Sequence, residues 1–377
     1  MLILASILAI FVYGMIAATL GTLLPDLSAR FGLTPSQNGR IASFQAIGLF
    51  IASLVVGPIM DSQGVKTGLV IGLTLAAIAL GALPRAGGFG SIAGLMFLLG
   101  WGGGTIVTGA NSLASAVSES HRATTLNLVN LFFGLGGLAT PLISANLLKR
   151  NSARLCYLMC AITVVTLGIH IATTMPPASG AQSFVIGQAA TILGKPVLFL
   201  LAFFLFLYVA CEVGVWNWLA QHLIAQGIPE PRALNILSLG FAFGLLVGRV
   251  AVSPILINVP ATTVLLAASV GMVVTTWLML RTNRAAAAGV AVFLAGVSMA
   301  PVFPTTLAVV GDRFPQMAST ALGIVVAAGW LGLAVSSRVI GAIAGGKTTR
   351  LRTALLVIPA SALIMIGLGL AIRSVGP

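Results

Sequence analysis

Apolar residues run through this chain in stretches of about twenty or more, separated by short polar connections. A stretch of that length crosses hydrocarbon as a helix, since a helix satisfies every backbone N–H and C=O within itself. Twelve spans are predicted, at 2–25, 37–60, 67–84, 90–114, 124–148, 155–174, 195–222, 232–256, 261–281, 286–310, 317–345 and 351–373. The first stretch has no basic start and runs on to Pro25, which reads as a spanning helix and not as a cleaved leader. The fold class is therefore an all-α membrane protein of twelve transmembrane helices.

The longest connection, Met175 to Gly194, follows the sixth span and carries Pro176, Pro177 and Gly180. It is the predicted cytoplasmic linker, residues 175–194, between six-helix bundles at 1–174 and 195–377. The two halves repeat. At a shift of 195 or 196, Tyr13 falls on Tyr208, Gly48-Leu49 on Gly244-Leu245, and Pro58-Ile59 on Pro254-Ile255. Ala123-Thr124-Thr125 falls on Ala318-Ser319-Thr320, and Gly134, Gly137 and Leu138 on Gly329, Gly332 and Leu333. Six spans is an even number, so the halves share one orientation, a parallel repeat about an axis along the membrane normal. Alternating-access carriers are built this way.

Composition sharpens the class. The chain is 58% hydrophobic and 7% charged, with a mean hydropathy of +1.11, which excludes a soluble globular domain. The net charge of +13 is spread over loops without interleaved aromatics, so nucleic acid is not an expected partner. Cys156, Cys160 and Cys211 lie in apolar runs and read as small core residues. No cofactor or metal is expected. Of the acids Asp26, Asp61, Glu119, Glu212, Glu230 and Asp312, only Glu212 falls deep in a span. A carboxylate there usually faces a cavity, an ion or a substrate. Tyr208 and Trp216 stand one helical turn to either side and share its face. The same acid would also serve as a bond between helices.

Gly57-Pro-Ile-Met-Asp61-Ser-Gln-Gly64-Val-Lys66 resembles the loop motif of the major facilitator superfamily. Asp61 ends a helix, Gly64 permits a tight turn, and Lys66 is expected to supply the partner charge. Ser62 and Val65 stand where that motif has arginines. Thr108-Gly-Ala-Asn111, Leu126-Asn127-Leu-Val-Asn130, the stretch around Tyr208 and Glu212, and Phe303-Pro304-Thr305 are similar to the fucose/galactose/glucose:proton symporter family. That resemblance implies a monosaccharide carrier. It also implies acids in spans 1 and 4 where this chain has Gly21 and Val107, so the coupling ion is open between H⁺ and Na⁺. Glu212 is the candidate to take the proton, bind Na⁺, or bind only sugar.

The remaining site candidates are polar or aromatic residues inside spans: Tyr13, Gln45, Asn111, Asn130, Asn217 and Trp330. Amides donate and accept, which suits sugar hydroxyls, and they also serve as interhelical bonds. Asn127 is expected to cluster with Asn111 and Asn130. An intramembrane enzyme would need a nucleophile–base pair or a metal constellation, and a channel would need a filter or charged rings; neither pattern is present. An exporter of organic or amphipathic compounds is the alternative function. The facilitator resemblance places both termini in the cytoplasm; a bacterial inner membrane is the expected location and a monomer the expected state. On that topology most of the 19 Lys and Arg lie outside, against the positive-inside rule. Lys66, Arg122, Lys195, Arg249, Arg313 and Arg373 are assigned to the inner side. The outer charge fits acid surroundings or an anionic sugar such as a uronate.

Overall fold

The computed structural model describes residues 1–148, 151–176, 191–282, 284–345 and 350–375. Most of the predicted linker, residues 177–190, lies outside the described residues. All twelve spans are helical, and no strand occurs among the described residues. The first six are α1 (Leu2–Phe31), α2 (Pro35–Gln63), α3 (Val65–Ala82), α4 (Phe89–Val117), α5 (Arg122–Leu142) and α6 (Ser152–Ala172). The second six are α7 (Pro196–Ala225), α8 (Glu230–Asn258), α9 (Ala261–Arg281), α10 (Ala285–Arg313), α11 (Ala318–Ala344) and α12 (Leu351–Ser374).

Local chemistry sets the helix ends. Gly32 closes α1 in the left-handed region at φ 61°. Thr34 then opens α2 with a capping box shared with Gln37 and Pro35 in the first turn. α8 widens to a π-helix over Ile236–Ala242. α10 breaks between Met299 and Val302, where Pro301 lacks the amide that would continue the ladder.

The chain divides into two compact units. Unit 1 is Met1–Glu119, Val129–Ile192 and Phe314–Ala327; unit 2 is Ser120–Leu128, Leu193–Arg313 and Ala328–Pro377. The units thus depart from the sequence boundary at two equivalent places, the beginnings of α5 and α11. Within unit 1, α4 packs on α1, α2 and α3, and α3 packs on α6. Within unit 2, α10 packs on α7, α8 and α9, and α9 packs on α12. The helix pairing of one unit is therefore the helix pairing of the other. Small residues allow it. A Cβ on Gly104 of α4 would stand 2.5 Å from the Leu49 carbonyl oxygen of α2. One on Gly248 of α8 would stand 2.8 Å from that of Val297 on α10. Large apolar side chains such as Val165, Leu239 and Val290 project outward, as hydrocarbon-facing positions do.

Candidate functional site

The loop motif does its work at a distance in sequence. Asp61, in the last turn of α2, accepts from the backbone amides of Ser319 at 3.1 Å and Thr320 at 2.8 Å, and from the Thr320 hydroxyl. Those amides are unpaired donors at the start of α11, where helix geometry favours negative charge. Beside it, the Ser112 and Ser319 hydroxyls share a hydrogen bond of 2.6 Å. Gly57 makes the approach possible, because a Cβ there would lie 2.6 Å from the Ser319 carbonyl oxygen and 2.6 Å from the Thr320 Cα. Gly64 takes φ 92°, which glycine accommodates freely. Lys66 does not pair with Asp61. Its ammonium donates to the carbonyls of Ile171 at 2.7 Å and Thr173 at 3.0 Å, capping the C-terminus of α6. Arg313 does the same for α12, donating to Val375 at 2.6 Å and Ile372 at 3.2 Å.

The expected amide cluster separates. Asn130 donates to the Asn111 side-chain oxygen at 2.7 Å, and Asn111 donates to the Val107 carbonyl at 2.7 Å, both residues buried in unit 1. Asn127 lies in unit 2 instead, donating to Ala123 and to the Thr305 hydroxyl at 3.0 Å. Its neighbour Thr124 donates to the Ser253 carbonyl of α8 at 3.0 Å, at the repeat position of the Ser319 contact with α2. Arg122, in the same segment, pairs with Asp312. In unit 1, Gln45 reaches the Ile16 carbonyl at 3.5 Å. Tyr13 stacks on Phe133 with ring centroids 5.2 Å apart.

The α7 constellation differs in kind. Glu212 is partly accessible, with Tyr208 and Trp216 turned toward it from the adjoining turns. Tyr208 is 0% exposed, and its hydroxyl, although beside the carboxylate, completes no hydrogen bond of good geometry. A buried donor in that condition costs on the order of 1–3 kcal/mol. Trp216 is 38% exposed and meets Phe241 of α8 edge-on at 5.3 Å. Asn217 is exposed beside it. Trp330, half-buried, follows Gly329, which lets α11 pack against Val209 of α7. Arg249 is a buried charge inside a span. It sits within α8, 5% exposed, and interacts electrostatically with Glu212 and Tyr208. The signal was available, since Arg249 interrupts an apolar run inside a predicted span. Among the described residues no group of three or more His, Cys, Asp or Glu is placed to hold a metal.

Comparison with known proteins fixes the family. The family model for the Major Facilitator Superfamily matches residues 6–337. The chain belongs to the Major Facilitator Superfamily. Among curated members, the glucose/mannose transporter GlcP of Bacillus subtilis is 25% identical over 96% of this chain and 92% of its own. A glucose/galactose transporter of Brucella abortus is 26% identical over 64% of this chain and 63% of its own. Among solved structures, the superfamily transporter FucP in the outward conformation aligns with a TM-score of 0.87 at 18% identity, covering 98% of both chains. The proton:xylose symporter XylE aligns with a TM-score of 0.78 at 15% identity, covering 100% of this chain and 95% of its own. These are transporters and not enzymes. This member of the superfamily is accordingly a multi-pass membrane transport protein.

Proposed function

We propose that this chain carries a monosaccharide across a bacterial inner membrane by alternating access, with Glu212, Tyr208, Trp216, Asn217 and Trp330 in the sugar site. The observation that carries the reading is the α7 constellation. A partly accessible carboxyl, a phenol buried beside it, and an accessible indole offer an acceptor, a donor and a stacking face. Sugar hydroxyls and an apolar sugar face need that combination. The glucose, mannose and galactose named for the curated relatives support the same substrate class. H⁺ and Na⁺ are the candidate coupling ions. We place both termini in the cytoplasm, with a monomer as the working unit.

Purified protein in proteoliposomes preloaded with D-glucose is expected to accumulate labelled glucose by counterflow. A panel of hexoses, pentoses and a uronate that all fail to exchange would overturn the reading. A steep fall in uptake with added salt would select the uronate, since screening acts on exposed outer charge. Labelling of Ser62→Cys by an impermeant reagent from outside intact cells would reverse the orientation.

A further inference from the structure

One groove on unit 2 lies away from the α7 constellation. It runs between α8 and α10, holds about 480 Å³, and extends from Arg232 and Ala285 at one end to Phe243 and Phe293 at the other. The two helices run parallel. A Cβ on Gly240 would stand 3.2 Å from Val292, one on Gly244 2.3 Å from the Phe293 carbonyl oxygen, and one on Gly248 2.8 Å from that of Val297. The π-helix Ile236–Ala242 shapes one wall. Such turns carry an extra residue and recur at functional sites. Here Leu239 and Phe243 are exposed along the groove, while Phe241 between them is buried against Trp216. Gly289 leaves the other wall low, since a Cβ there would meet nothing closer than the Ile236 Cγ1 at 4.0 Å. Phe243 and Phe293 close the far end with ring centroids 6.1 Å apart.

The mouth is charged and the rest is apolar. Arg232 lines it, and Arg284 immediately precedes Ala285. Both arginines are exposed, and among the described residues neither forms an ion pair. Arg281, at the end of α9, lies 4.5 Å over the ring of the exposed Trp277. A tryptophan with an arginine at a span end marks the level of the headgroups. Three arginines at this end stand against one acid, Glu230. From Arg232 to Phe243 the groove follows the helices for about 15 Å, half of a hydrocarbon core roughly 30 Å thick. That is the depth of an acyl chain in one leaflet. A second copy seated here about a two-fold axis would bring the same arginines together, and a free sugar would leave the aromatic end unfilled. We propose that this groove binds an anionic glycerophospholipid of the surrounding leaflet, with its phosphate on Arg232 and Arg284 and one acyl chain reaching Phe243 and Phe293. Arginine suits phosphate because its guanidinium donates in a planar fork. The site does not depend on the monosaccharide reading.

The test uses the full chain in a neutral detergent, with bound lipid counted by native mass spectrometry and melting temperature measured alongside. Phosphatidylglycerol is expected to bind at least about tenfold more tightly than phosphatidylcholine of the same acyl chains, the ratio that charge-assisted hydrogen bonds to phosphate supply. It should also raise the melting temperature further, since a ligand of the folded state stabilises it. The double substitution Arg232→Gln/Arg284→Gln is expected to lose the preference and bind both lipids weakly. Gly289→Leu is expected to fold, because leucine favours a helix and its side chain enters open space, yet to lose the tight site by filling it. Arg85→Gln, on unit 1, is expected to keep both the site and the preference. Equal affinity for the two lipids in wild type, a tight site retained in Gly289→Leu, or an equal loss in Arg85→Gln would overturn the proposal. So would the same stabilisation by glycerol 1-phosphate alone, or a change from dimer to monomer in Gly289→Leu, which would assign the groove to a second copy.

Discussion

Two buried polar clusters occupy the two units, and they are finished to different degrees. In unit 1, Asn111 and Asn130 commit their amides to each other and to the Val107 carbonyl. In unit 2, the Tyr208 hydroxyl lies beside the Glu212 carboxylate without completing a hydrogen bond of good geometry, and that carboxylate is partly accessible. Buried polar groups are nearly always paired, so the complete cluster explains itself as a bond between helices. The incomplete one carries a cost that a ligand can relieve. The repeat gives both units the same helix packing, so the difference lies in side chains and not in architecture. An unsatisfied polar atom is not by itself a guide to the substrate, since the Thr105 and Thr108 hydroxyls on α4 of unit 1 are also buried without a bonded partner; the accessible acid beside Tyr208 is what sets unit 2 apart.

Four substitutions test that contrast. Glu212→Gln is expected to lower glucose counterflow by more than about tenfold in protein that remains monodisperse, as loss of a substrate-contacting hydrogen bond does. Normal exchange would return Glu212 to a structural role. Asn130→Ala is expected to act on the fold instead. It leaves the Asn111 oxygen without its donor, at a cost of about 1–3 kcal/mol, and a clear drop in melting temperature with glucose affinity little changed is the expected result. The reverse pattern would bring the amide pair into the site. Asp61→Ala removes the side-chain cap of α11, worth about 0.5–2 kcal/mol. Its effect should appear as lower thermal stability and altered transport at unchanged binding affinity. Tyr208→Phe is the smallest change and the sharpest. Because the hydroxyl completes no hydrogen bond of good geometry, its loss should leave the melting temperature level or slightly higher while weakening glucose binding several-fold. A fall in stability with unchanged affinity would make Tyr208 part of the core.

The spans, the repeat and the Glu212 face were legible in sequence because hydropathy, spacing and offset are local or periodic signals. Glu212 was readable as the one acid far from a span end. Arg249 was equally visible between Gly248 and Val250 as a charge interrupting an apolar run. The partners of Asp61, Asn127 and Lys66 were not legible. Asp61 meets a helix start that lies 258 and 259 positions away. Asn127 bonds a threonine 178 positions away, and Lys66 reaches carbonyls more than 100 positions away. A charge near a turn looks like a partner for the next charge along, and only the packed helices reveal that a helix terminus competes for it.

The exchange of Ser120–Leu128 and Phe314–Ala327 between the sequence halves bears on how the protein is made. A ribosome that has released α1 to α6 has not yet synthesised residues 314–327, so Asp61 meets no helix start and Gly57 no neighbouring backbone. Unit 1 therefore matures only after α11 has entered the membrane. Until then the end of unit 1 that carries Asp61 is an unfinished surface, open to membrane chaperones or proteases. A ribosome stalled before residue 314 should hold a first half with a protease-sensitive loop at Asp61, and one stalled beyond α11 a protected loop.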